Sequence, residues 1–176
     1  MAYVILGLLL IAPRSLYGLV KGFEAGVGLF YSASSGSIKR ALDKLLDQGS
    51  IEVASQQAGG RGKKVYRVTD TGREEFLAWM TGDLAGSDLE GVVLSRLFFL
   101  GLLEPAQRPA VLARIEARIE SDLTRLSELD EHVQQVAIPE GWHDVARYQR
   151  ATLDYGLASH RFALDWFRNY ARSDEA

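Results

Sequence analysis

Tyr31 to Val68 is the stretch that most constrains what this chain can fold into. A small-polar cluster (Ser32, Ser34, Ser35, Ser37, with Gly36) opens a segment whose apolar residues fall at Ile38, Leu42, Leu45 and Leu46. That spacing predicts a short helix burying one side. Arg40, Asp43, Lys44 and Asp47 lie opposite, with Lys39 on the flank, and Gly49 follows as a helix stop. Two alternating segments come next, Ile51 to Val53 and Lys64 to Val68, joined by a Gly-rich connector carrying Arg61, Lys63 and Lys64. A basic helix followed by a two-stranded ribbon with a cationic tip predicts a winged helix-turn-helix.

The chemistry of that segment points to double-stranded DNA. An α-helix fits the major groove, and its first residues reach base edges while neighbours touch phosphate. Ser34, Ser35, Gly36 and Ser37 would lie nearest the duplex, because helix-start amides attract phosphate oxygens. Lys39, Arg40 and Lys44 suit phosphate, and Arg40 also suits a bidentate contact to guanine. The helix alone fits an ordinary amphipathic helix with a solvated polar face better; the cationic wing is what favours DNA. A phosphate-cradling loop at Gly62-Lys63 fails on register, since Gln57 stands where the leading glycine belongs and Lys64 where the hydroxyl belongs.

Charge distribution agrees. Residues 1–80 hold ten Lys/Arg against seven Asp/Glu, a net of +3, and residues 81–176 hold ten against sixteen, a net of −6, together the −3 of the whole chain. Such asymmetry is expected when one half meets a polyanion and the other does something else.

Residues 2–12 are nearly all apolar and end at Pro13. The run is about half of a roughly 20-residue membrane span. It has neither the basic flank nor the cleavage pattern of a signal peptide, so it reads as a buried first helix of a cytoplasmic protein with no membrane contact. Ser15 is placed to cap a second helix, Leu16 to about Ala25, with Tyr17, Val20 and Phe23 among its inward residues; Tyr17 also joins the candidate DNA-contacting set. Thr71 with Glu74 fits a capping box for the next helix, Thr69 being the alternative cap. The loose stretch Thr81 to Asp88 predicts a boundary between a winged-helix domain at 1–80 and a helical domain at 81–176.

In the second half, Leu89 to Leu103 predicts an apolar helix. A long helix starting by Pro109 follows, in which Leu112, Ile115, Ile119, Asp122, Leu126, Leu129, Val133 and Val136 are spaced 3-4-3-4-3-4-3. This is a coiled-coil-like heptad seam broken by Asp122. The last helix, Trp142 to Ala171, has two apolar faces. One carries Tyr148, Tyr155, Phe162 and Trp166, the other Leu153, Leu157, Leu164 and Phe167. So wide an apolar arc asks for cover by a partner subunit. Leu112, Ile115, Ile119, Leu126, Leu129, Val133, Phe162 and Trp166 are therefore the candidate dimerisation residues. Trp142, Tyr148 and Tyr155 are also candidates to line a pocket for a flat ligand, although packing is the simpler reading.

Catalysis finds little support. His132, His143 and His160 lack metal-ligand spacing, there is no cysteine, and no nucleophile motif appears. No enzyme activity, metal or cofactor is expected.

Taken together, I-L-G-L-L, L-Y-G-L, F-Y-S-A-S-S-G-S-I, A-L-D-K-L, Q-G-S-I and G-G-R-G-K-K-V-Y-R-V-T-D-T-G-R resemble the PadR family of bacterial transcriptional regulators over most of residues 4–76. The helical remainder is similar to the C-terminal domain of that family's virulence-activator subgroup. The resemblance implies a mainly α chain with a winged-helix DNA-binding domain (three helices and a two-stranded wing) and an α-helical dimerisation domain. It further implies a homodimer on a pseudo-palindromic operator; most members repress, and several respond to small aromatic effectors. Lys39 departs from the family's usual tyrosine, so operator preference does not carry over. A winged-helix module that binds proteins, or a ligand sensor without DNA binding, is the alternative.

Overall fold

The structure is a computed structural model that describes residues 1–56, 64–86 and 88–174. Chain contacts divide it into two compact units, Met1–Val111 and Leu112–Ala176.

In the first unit, α1 (Ala2–Ile11) buries Val4, Ile5, Leu6, Leu8 and Leu9. Being apolar all round, it packs on several neighbours at once. Those neighbours are α2 (Leu16–Ala25), α3 (Ser35–Asp47), the sheet strand β3 (Lys64–Val68) and α4 (Asp70–Thr81). Ser15 caps α2, its hydroxyl accepting from the Gly18 amide at 3.2 Å. One sequence expectation is corrected here: Leu19 and Phe23 are the buried residues of α2, while Tyr17 points outward at 68% exposure.

Ser34 caps α3 by accepting from the Ser37 amide at 3.1 Å, and Ile38, Leu42 and Leu45 go into the core. Gly49, at φ 73°, makes the left-handed step out of that helix, a conformation glycine adopts without a Cβ penalty. β2 (Ile51–Gln56) then pairs antiparallel with β3, Ile51 opposite Val68 and Val53 opposite Tyr66, with a register shift between Val53 and Ser55. A third strand, β1 (Arg14–Ser15), pairs with the other edge of β3, Arg14 opposite Tyr66, so the sheet order is β1-β3-β2. Two residues are too few to show alternation, so the sequence pattern gives no sign of this strand.

Thr69, not Thr71, caps α4: its hydroxyl accepts from Gly72 N at 3.2 Å and donates to the Gly49 carbonyl at 2.7 Å. The Thr69 amide also bonds the Ser50 carbonyl, so the end of the wing fixes where α4 begins. α5 (Leu89–Phe99) is shorter than the apolar run predicts, because Leu100–Leu102 tighten into a 3-10 turn. α5 belongs to the first unit: Phe99 meets the Phe76 ring edge-on at 5.8 Å, and Phe98 lies 5.7 Å from Phe30. It also sends in Arg96, only 2% exposed, whose guanidinium donates to the carbonyls of Trp79 and Asp83 and lies 4.8 Å from the Trp79 ring. Burial holds the Arg96 pKa below the usual arginine value.

The long helices are α6 (Arg108–Gln134) and α7 (His143–Asp174). Within the second unit they run alongside in opposite directions. Arg168 bonds Glu120 at 2.9 Å near one end, and Arg150 bonds Asp130 at 3.2 Å near the other. The apolar face of α7 that faces inward is Leu157, Leu164 and Phe167. Among the described residues no helix is long and apolar enough to cross a membrane.

Candidate nucleic-acid interface

The outer face of α3 carries the candidate contact residues, which begin at the Ser34 cap. Ser34, Ser35, Gly36, Lys39, Arg40 and Lys44 are exposed and Ser37 is half-buried. No acidic residue occupies its first turn, which leaves the helix start suited to an anion. The Ser37 hydroxyl donates to the Ser34 carbonyl at 2.8 Å, closing the cap on itself. Arg40 folds back over this start: a Cβ on Gly36 would come to 3.8 Å from Arg40 Nη1.

Lys39 does not stand free. Its ammonium bonds the Asp43 carboxylate at 2.6 Å, one helical turn on, and that bond raises the Lys39 pKa. The same pair acts on Tyr66 of β3. Burial and then the Asp43 charge push the Tyr66 phenol up, while Lys39 pulls it down. Helix and wing root therefore share one polar face. On the wing, Lys64 is exposed at the start of β3, and Arg67 bonds Glu52 across the strands at 2.5 Å. Arg61 and Lys63 lie outside the described residues. On α2, Tyr17 carries Lys21 Nζ 5.8 Å from its ring centroid. The sequence reading places Asp43 on the polar face without pairing it to Lys39, and does not single out Tyr66. The first was legible as an i, i+4 partner of Lys39; the second needed the sheet.

The candidate dimerisation residues fall into two groups. Leu112, Ile115 and Ile119 are buried within the single chain, at 4%, 0% and 0% exposure, so the first half of the heptad packs inside it. Leu129 and Val133 are exposed and Leu126 is half-buried. Asp122, in the seam, accepts from Arg118 at 2.8 Å and from Arg125 at 2.7 Å, which satisfies a carboxylate that an apolar seam would leave unpaired. On α7 one whole aromatic row stays uncovered: Tyr148 at 65%, Tyr155 at 76%, Phe162 at 71% and Trp166 at 41%. Trp166 stacks on Tyr170 at 5.3 Å. Of the candidate ligand-pocket residues, Trp142 lines a depression of about 340 Å³ with Val136, Ile138, Pro139 and Val145, and neither Tyr148 nor Tyr155 does. Among the described residues no cluster of His, Cys, Asp or Glu is arranged to hold a metal.

Three helices, a β-hairpin and a short third strand define a winged helix-turn-helix protein. Residues 5–78 match the transcriptional regulator PadR-like family, and residues 92–172 match the virulence activator alpha C-terminal family. The chain thus carries a PadR-like domain followed by a virulence activator alpha C-terminal domain. Among curated proteins it is 37% identical over 79 residues to the negative transcriptional regulator PadR of Bacillus subtilis (strain 168), covering 44% of this chain. That alignment spans only 43% of the Bacillus protein's length. It is 23% identical to a probable transcriptional regulator of Mycobacterium tuberculosis (strain ATCC 25618 / H37Rv), covering 89% of this chain and 88% of that one. Among solved structures, Bacillus subtilis PadR in complex with operator DNA gives a TM-score of 0.46 at 22% identity, covering 98% of this chain and 96% of that chain.

Proposed function

We propose that this chain is a cytoplasmic, sequence-specific DNA-binding regulator that acts as a homodimer on a pseudo-palindromic operator and represses transcription. Residues 1–80 carry the DNA contacts and residues 81–176 hold the dimer together. The observation that carries this reading is the shared polar face of α3 and the wing root, where Ser35, Gly36, Lys39, Arg40 and Lys44 stand exposed and the Lys39–Asp43 pair acts on Tyr66 of β3. Repression is supported by the relative at 37% identity, a negative regulator. Dimerisation is supported by the uncovered aromatic row of α7, an apolar surface a monomer would leave in water.

The test is fluorescence anisotropy with a labelled fragment of the promoter upstream of its own gene, against a random duplex of equal length. The promoter should bind more tightly, and log K should fall with log[salt] by about 0.9 per neutralised phosphate. Equal affinity for the two would refute a specific regulator. No binding even at low salt would favour the protein-interaction alternative, to which the net charge of −3 lends some support.

A further inference from the structure

Two carboxylates, Asp43 and Asp47, share the outer face of α3 with its cations. Asp47 is in the last turn, away from the helix start. Asp43 is in the middle, and its carboxylate holds the Lys39 ammonium at 2.6 Å with both side chains more than half exposed. It is also close enough to the wing root to act on Tyr66. A negative charge there repels a polyanion, and its partner is a cation that would otherwise meet phosphate.

We infer that Asp43 is a specificity-determining residue: it keeps Lys39 in reserve and disfavours sequence-independent binding. The inference rests on the DNA reading of α3 and deepens it. An exposed i, i+4 ion pair is weak, so phosphate competes with it readily. Freeing Lys39, however, leaves the Asp43 carboxylate facing the duplex without a partner. On arbitrary sequence the lowest-energy state therefore keeps Lys39 on Asp43, and one phosphate fewer is neutralised. On a matching sequence a base-edge amino group, such as N4 of cytosine, donates to Asp43. Lys39 is then released to the backbone. One carboxylate thus couples a base contact to a phosphate contact.

The experiment uses the full chain, a mixed-sequence duplex, and the best duplex that the unmodified protein selects from a randomised pool, each titrated across a salt series. Asp43→Asn should bind the mixed-sequence duplex several-fold more tightly, with a salt slope steeper by about 0.9. The ratio of selected to mixed affinity should fall. Lys39→Met should leave the mixed-sequence slope unchanged on its own and abolish the steepening when combined with Asp43→Asn. Slope and ratio unaltered by Asp43→Asn would overturn the inference, as would a flatter slope in Lys39→Met alone. Failure of the unmodified protein to bind any duplex would refute the DNA reading and this inference together. Binding with an unaltered Asp43→Asn slope would refute this inference alone.

Discussion

A Cβ built on Gly72 would lie 1.9 Å from the carbonyl oxygen of Ser50. The first turn of α4 therefore presses directly on the backbone that leads from α3 into the wing. Replacing a helical glycine by alanine ordinarily stabilises by about 1 kcal/mol. Here Gly72→Ala should destabilise by roughly 2–4 kcal/mol, because the clash is with backbone and not with a movable side chain. Thermal melting of the variant reads the sign directly.

The caps give a paired prediction. Thr69→Ala removes both the acceptor for Gly72 N and the donor to the Gly49 carbonyl. It should cost about 1–2 kcal/mol. Thr71→Ala should stay within about 0.5 kcal/mol. Denaturant midpoints for the two variants check it, and equal losses would return the cap to Thr71.

Arg96 should tolerate no substitution well. It is buried, bonds two carbonyls and covers the Trp79 ring, and among the described residues its Nε has no hydrogen-bond partner. Arg96→Ala should destabilise by about 2–4 kcal/mol and shift tryptophan emission. Arg96→Lys should not restore the loss, because a point charge cannot replace a planar fork stacked on indole.

On the DNA side, reversing the charges of Arg61, Lys63 and Lys64 should weaken binding to all duplexes alike. Ser37→Ala or Arg40→Ala should instead change the ranking among sequences. Competition titrations with a small set of duplexes separate the two patterns.

The two apolar faces of α7 should respond differently. Phe162→Glu or Tyr155→Glu, on exposed side chains, should give a folded monomer. Leu157→Glu or Phe167→Glu, on buried ones, should unfold the second unit. Sedimentation velocity with circular dichroism distinguishes these outcomes.

Much of the fold is legible in the sequence because its signals are local. The i, i+4, i+7, i+8 spacing from Ile38 places α3, Ser15 and Ser34 announce helix starts, and Gly49 marks a stop. The misses have a common cause. Tyr17 points outward because the position of Leu19 and Phe23 against the rest of the unit decides the inward face, which an apolar count over ten residues does not. Thr69 prevails over Thr71 because it is fixed through Gly49 and Ser50, twenty residues back. The outward heptad could not be divided by spacing alone. The same periodicity serves Ile115, buried within its own chain, and Leu129, exposed. At the candidate interface, residue types at the start of α3 were readable, whereas the neighbourhood of Lys39, Asp43 and Tyr66 joins a helix to a strand and emerges only in three dimensions.

Ser15 sits at two structures at once, opposite Val65 in the sheet and at the head of α2. The wing strand is thereby tied through the backbone to the helix that carries Tyr17 and Lys21, in addition to the packing of both on α1. Lifting β3 from its short neighbour would also loosen the first turn of α2. The ribbon and that helix thus share Ser15 as a common anchor, like two oars on one lock.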